Sequence, residues 1–75
     1  MAVPVEAIQE LVARQLGRRG VQADHHLVAD LGMESIDTLN LVGALEEKYK
    51  VSLKDEEIAN VQTVRDLHEL LLRKL

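Results

Sequence analysis

Ser35 occupies the position in this chain that best suits covalent chemistry. It follows an acidic turn containing Gly32 and stands at the first position of a predicted amphipathic helix. A hydroxyl placed there is exposed, and the N–H groups and dipole of a helix N-terminus favour negative charge. The position therefore suits a serine that carries a phosphate ester. It also suits an ordinary helix cap, which position alone favours, because serine is a leading N-cap residue.

Three histidines raise the questions of nucleophilic catalysis and metal binding. A Ser–His pair would need His25, His26 or His68 near Ser35, together with an orienting acid and an oxyanion hole. A chain of 75 residues leaves little scaffold for a substrate cleft, so we expect no catalytic residues and no enzymatic activity. The run Asp24-His25-His26 lacks the ligand spacing of a metal site. We expect surface histidines and no metal.

The charge distribution limits the classes of partner. A net charge of −4 and a single aromatic residue, Tyr49, argue against nucleic-acid binding. The acidity is concentrated in residues 30–57, which carry eight acidic and three basic side chains, a net charge of −5. The remainder of the chain sums to +1. This segregation favours a docking surface for basic partners.

Length and composition set further bounds. Seventy-five residues correspond to a single domain, residues 1–75. The chain has no cysteine, so any working thiol must come from a prosthetic group. No apolar run approaches the roughly 20 residues that span a bilayer, and the N-terminus lacks a basic-then-apolar signal. We therefore expect a soluble, cytoplasmic protein without membrane insertion.

Hydrophobic spacing predicts an all-α fold, a small four-helix bundle of three longer helices and one short helix. The four predicted helices are 4–16, 35–50, 55–59 and a last helix that Thr63 caps with Asp66. In the first helix, one face comprises Val5, Ile8, Leu11, Val12 and Leu16. The residues predicted to be buried further along are Val21, Leu27, Val28 and Leu31 in the loop, and Val64, Leu67, Leu71 and Leu75 in the last helix.

Local residue types predict where the helices begin and end. Pro4 suits the first helical position, and Gly17 suits the end of the first helix. Ser52 with Asp55 resembles a weak capping box for the short helix, which Asn60 can close in a left-handed conformation.

The second predicted helix has two distinct faces. Its core face comprises Thr38, Leu41, Val42, Leu45 and Tyr49. The opposite stripe comprises Ile36, Asn40, Gly43 and Glu47, with Asp37 beside it. An Ile and a mid-helix Gly on a solvated face cost stability, Gly by about 1 kcal/mol relative to Ala. This stripe therefore predicts a surface for another protein.

Residues 30–39, Asp-Leu-Gly-Met-Glu-Ser-Ile-Asp-Thr-Leu, resemble the acyl carrier protein signature D-L-G-x-D-S-L-D-x-V. The similarity continues through residues 41–49 and the acidic residues 55–57. It ends in residues 63–67, where the family has a T-V-x-D opening to its last helix. The resemblance covers nearly the whole chain.

This resemblance implies a carrier protein whose Ser35 receives 4'-phosphopantetheine from coenzyme A through a phosphopantetheinyl transferase. The thiol of that arm would carry acyl intermediates as thioesters to enzymes of fatty acid, polyketide or related lipid biosynthesis. By the same resemblance, the second helix docks partner enzymes that have basic surfaces, and the protein is a monomer. The docking residues predicted are Glu34, Ile36, Asp37, Asn40, Gly43 and Glu47.

Several positions depart from the family pattern and leave the pathway open. Glu34 replaces the usual Asp, and Ile36 replaces the usual Leu. Asn40 stands where fatty-acid carriers tend to have an acid, and Gly43 where they tend to have a larger apolar residue. Asp37 favours an acyl carrier over an aminoacyl or peptidyl carrier, which stays the first alternative. The second alternative is a helical interaction module in which Ser35 is only a cap.

Overall fold

The structure, a computed structural model, describes residues 3–75. Within that range the chain forms helices, and the single β-bridge joins His26 to Thr63. The predicted all-α four-helix bundle is confirmed. The helices are α1 (Val5–Leu16), α2 (Ser35–Tyr49), α3 (Asp55–Ile58) and α4 (Val64–Lys74).

The core lies between α1 and the two helices that pack on it, α2 and α4. Its fully buried side chains are aliphatic, because α1, α2 and α4 each turn a stripe of Leu, Ile or Val inward. The largest of them are Ile8, Val12, Leu45, Val64, Leu70 and Leu71.

The predicted buried stripe of α4 is correct at three positions and wrong at one. Val64, Leu67 and Leu71 are buried, whereas Leu75 is 57% exposed. The helix ends at Lys74, so Leu75 lies beyond its last turn. Leu70 is buried instead, because the apolar face of α4 is wide enough to take two adjacent leucines.

Helix boundaries follow the predicted signals with small shifts. Pro4 is the extended residue before α1 and not its first helical residue. Gly17 ends α1 in the left-handed conformation, φ +64°, as predicted. The α2 helix ends at Tyr49, one residue early, because Lys50 adopts φ +56°.

The predicted caps of α3 are wrong. The N-cap residue of α3 is Lys54 and not Ser52. Its N–H donates to Glu57 Oε1 at 3.0 Å, so Glu57 is the acidic partner of the capping box and Asp55 is not. Asn60 has no left-handed backbone; its side-chain amide donates to the Glu56 carbonyl at 3.2 Å.

An ion pair connects α3 to α4. Lys74 Nζ lies 2.8 Å from Glu57 Oε2, and this contact lowers the pKa of Glu57.

The long connection between α1 and α2 is anchored to the core. Val21, Leu27 and Leu31 are buried as predicted. Val28 is 61% exposed, so its predicted burial is wrong, and Met33 at 6% exposure is the anchor that the spacing did not reveal. A connection held at four points has little freedom, which fixes the start of α2.

The start of α4 is a complete capping box, as predicted. Thr63 Oγ1 accepts from the Asp66 N–H at 3.1 Å, and Asp66 Oδ2 accepts from the Thr63 and Gln62 N–H groups, both at 3.1 Å. These two backbone N–H donors stabilise the carboxylate and hold the pKa of Asp66 below its usual value of 3.8. The carboxylate therefore stabilises the fold at neutral pH.

We expect Asp66→Ala to lower the free energy of unfolding by about 1 kcal/mol at pH 7. A carboxylate with a lowered folded-state pKa contributes fully above its unfolded value and loses that contribution as pH falls through the folded value. The difference between variant and wild type should therefore shrink below pH 3.8. Urea titrations of both proteins at pH 7 and pH 3 measure this difference in the free energy of unfolding. The same difference at the two pH values would contradict the role of the Asp66 carboxylate.

Candidate functional site

Ser35 is the first residue of α2 and is not its cap. The preceding residue, Glu34, has the extended backbone of an N-cap, φ −104° and ψ 174°, and its carbonyl accepts from the Thr38 N–H at 3.1 Å. Asp37 Oδ2 accepts from the Glu34 N–H at 2.9 Å. Ser35 is exposed, and among residues 3–75 its hydroxyl has no hydrogen-bond partner. The cap interpretation of Ser35 is therefore wrong.

The chain before Ser35 is held rigidly. The Leu31 N–H donates to the His26 carbonyl at 3.1 Å. The Gly32 N–H donates to the Val28 carbonyl at 2.9 Å, and the Met33 N–H donates to the Leu27 carbonyl at 3.0 Å. Gly32 has φ +68°, a value that favours glycine. Just after the end of α1, the Arg18 guanidinium donates to the Leu31 carbonyl at 3.1 Å. These contacts fix the direction in which the chain enters α2.

The field around Ser35 combines two opposite contributions. The first turn of α2 presents N–H groups without intrahelical partners, which favour an anion at Ser35. Residues 27–47 contain five acidic side chains and no Lys or Arg. These carboxylates repel an anion but attract a basic protein. An anionic group is therefore favoured only at the N-terminus of α2. The surface around that point favours a basic partner protein.

The outward stripe of α2 is exposed as predicted. Ile36 is 60% exposed, and Asn40, Gly43 and Glu47 are exposed beside it. A Cβ added at Gly43 would meet nothing within 4 Å, so internal packing does not require glycine there. The predicted core face is also confirmed, with Leu41 and Leu45 buried and Thr38, Val42 and Tyr49 half-buried.

One of the predicted docking residues, Asp37, differs from the others in its exposure, and one exposed residue was missed. Asp37 is half-buried and serves the helix start, whereas Glu34 is exposed. Leu39 is 68% exposed on α2 but was not assigned to the stripe. Its place three residues after Ile36 and four before Gly43 is the helical spacing that could have identified it.

A cavity of about 260 Å³ lies beside the start of α2. Met33 and Thr38, on either side of Ser35 in the chain, both line it, and Thr38 is three residues along the helix from Ser35. Its lining is mainly aliphatic, with polar groups only at His26, Thr38 and Gln62. The apolar lining residues are Leu27, Val28, Met33, Leu41, Val42, Ile58, Ala59, Val61 and Leu67.

His25 and His68 have structural partners away from Ser35. His25 Nδ1 accepts from the Gln22 N–H at 3.0 Å, and His68 Nε2 lies 2.6 Å from the Val3 carbonyl oxygen. Asp24, beside His25 in the chain, pairs with Arg65 at 3.2 Å. Residues 3–75 contain no group of three or more His, Cys, Asp or Glu side chains that could hold a metal.

In the same part of the chain, no helix has the length and apolar content to cross a membrane.

Comparison with known proteins assigns this arrangement to a family. The family model for the phosphopantetheine attachment site matches residues 6–71. One similar structure belongs to a protein assigned as an acyl carrier protein from Mycobacterium tuberculosis, with 29% identity, TM-score 0.87 and coverage of 95% of this chain and 97% of that one. Another is an acyl carrier protein from Thermotoga maritima, with 26% identity, TM-score 0.76 and coverage of 93% and 84%. The chain belongs to the acyl carrier protein family.

The prosthetic group of this family is 4'-phosphopantetheine, attached covalently. The residues here fit such a group: an exposed serine without a hydrogen-bond partner, a helix N-terminus for the phosphate and an aliphatic cavity beside it. Family members generally act with a phosphopantetheinyl transferase and acyl-handling enzymes and are carriers, not catalysts.

Proposed function

We propose that Ser35 carries 4'-phosphopantetheine and that the chain is a cytoplasmic, monomeric carrier of acyl groups. The observation that supports this most directly is the exposed hydroxyl of Ser35 at the first position of a 15-residue helix. When bound, the arm supplies the thiol that holds an acyl group as a thioester. Ser35 anchors that arm, and the N–H groups of the first turn stabilise its phosphate.

The cavity beside Ser35 supports an acyl cargo. Its aliphatic lining comes from α2, α3, α4 and the loop before α2 and excludes ionised groups. A fatty acyl or polyketide chain fits that chemistry better than a charged aminoacyl group. Enzymes of fatty acid, polyketide or related lipid biosynthesis are the partners this proposal assigns, with a single carrier domain spanning residues 1–75.

The docking surface that we propose is the exposed stripe of α2, formed by Ile36, Asn40, Gly43 and Glu47. Glu34 and Asp37 adjoin it at the start of the helix, and exposed Leu39 extends its apolar part. A partner enzyme would place apolar side chains against Ile36 and basic side chains against the acids. Because Asp37 also holds the helix start, Glu47 is the cleaner position at which to test the charge.

Glu47→Lys should slow the transferase by about tenfold at low salt, since it reverses a charge in the docking surface. Lysine near the C-terminus of α2 suits the helix dipole, so stability should not fall. The measurement is kcat/KM of the transferase for each variant at several salt concentrations. Glu69→Lys, an identical charge change at an exposed position of α4, is the matched control. Equal rates for the two variants at low salt would refute this docking surface.

The proposal as a whole is tested by incubating the purified chain with coenzyme A and a broad-specificity phosphopantetheinyl transferase. Intact-mass spectrometry should show the gain of one 4'-phosphopantetheine per chain. An unmodified mass would favour the helical interaction module. Subsequent loading by acyl-transferring but not by aminoacyl-activating enzymes would separate an acyl carrier from the aminoacyl or peptidyl alternative.

A further inference from the structure

The turn that leads to Ser35 is capped by a histidine. His26 Nδ1 accepts from the Ala29 N–H at 3.0 Å and from the Val28 N–H at 3.2 Å. In return, Asp30 Oδ2 accepts from the His26 N–H at 2.7 Å. A side-chain acceptor that bonds the N–H groups two and three residues later is the pattern made by a Ser, Asp or Asn N-cap. His26 fills that role with an imidazole.

These contacts determine the protonation state that the turn requires. Two N–H groups donate to Nδ1, so Nδ1 has no proton of its own and the neutral ring carries its proton on Nε2. An imidazolium is a donor at both nitrogens and cannot accept from either N–H. The cap therefore requires the neutral ring with an unprotonated Nδ1.

The capped turn determines where Ser35 lies. The His26 carbonyl accepts from the Asp30 and Leu31 N–H groups at 2.9 and 3.1 Å, and the following residues bond back to Leu27 and Val28. This unit ends at buried Met33, two residues before Ser35. Loss of the cap therefore loosens the segment that directs Ser35 into α2.

We propose that His26 is a positioning residue for the modification of Ser35, through the two hydrogen bonds that its Nδ1 accepts. The inference rests on the proposed attachment at Ser35. Without that acceptor the turn loses two hydrogen bonds, and Ser35 follows a looser segment. The fraction of chains with a correctly placed Ser35 then falls.

The test compares transferase kcat/KM for wild type, His26→Ser and His26→Ala at pH 7.5. Serine keeps an acceptor for the two N–H groups, whereas alanine has none. We expect His26→Ser to stay near the wild-type value and His26→Ala to fall about five- to tenfold, the equivalent of two weak hydrogen bonds. His25→Ala, which removes the contact to Gln22, should keep the wild-type value.

A second readout needs no transferase. Ring ¹⁵N shifts of His26 should show an unprotonated Nδ1 and a protonated Nε2 at pH 7.5, and the Val28 and Ala29 amides should exchange faster in His26→Ala than in wild type. Equal transferase rates for wild type and His26→Ala, failure of His26→Ser to restore the rate, or a protonated Nδ1 at pH 7.5 would overturn the proposal. If wild type gains no arm, attachment itself fails; if it gains one and His26→Ala is equally fast, only the role of His26 fails.

Discussion

Ser35→Ala should gain no 4'-phosphopantetheine under conditions that modify the wild type completely. The variant removes the hydroxyl oxygen that would form the bond to phosphorus. It should fold normally, because the side chain is exposed, makes no hydrogen bond to the described residues and gives way to a better helix former. Intact-mass spectrometry gives the modification, and circular dichroism with thermal unfolding gives the fold.

The matched control for this variant is Ser52→Ala. Ser52 is the only other serine of the chain, is exposed and lies in the connection between α2 and α3. This variant should accept one arm at the wild-type rate. Modification of Ser35→Ala, or loss of modification in Ser52→Ala, would contradict the assignment of the site.

Leu45→Ala should lower the free energy of unfolding by 2–5 kcal/mol, the largest stability effect expected of a single substitution here. Leu45 is fully buried on the core face of α2, against which α1 packs. Removing the branched end of this side chain loses the free energy of burying its methyl groups and leaves a cavity that the bundle can only partly close. A domain of this size has little stability in reserve, so the variant should be partly unfolded at 37 °C. Urea titration and thermal melting monitored at 222 nm measure the loss.

Leu39→Ala is the control on the same helix with the same chemical change. Leu39 is 68% exposed, so its truncation should alter stability by no more than about 0.5 kcal/mol. A similar destabilisation by both variants would mean that α2 does not present the faces described here.

The sequence predicted the helices and the faces of α2 well because both depend on local periodicity. Leu41 and Leu45 recur at helical spacing and are buried, and Ile36 and Gly43 fall on the opposite, exposed side. The Thr63–Asp66 capping box was equally local and is correct. Burial in the connection before α2 depends instead on tertiary packing, so Val28 and Met33 could not be assigned from spacing.

The candidate site was only partly predictable for the same reason. The motif identified Ser35 and placed it at the head of the helix, but whether it or Glu34 is the cap depends on one backbone angle, which the sequence does not specify. The role of His26 was not predictable either. A histidine is not a preferred N-cap, and its acceptor role arises from a ring orientation that only the folded turn sets.

Localising the arm within the modified chain tests the central claim most directly. Cleavage after Lys and Arg releases residues 20–48 as one peptide, in which Ser35 is the only serine, and places Ser52 in another. Fragmentation of that peptide should locate a single 4'-phosphopantetheine on Ser35, with Thr38 and all other residues unmodified. An arm on Ser52 or Thr38, or no arm on any peptide of a chain treated with coenzyme A and active transferase, would contradict the account.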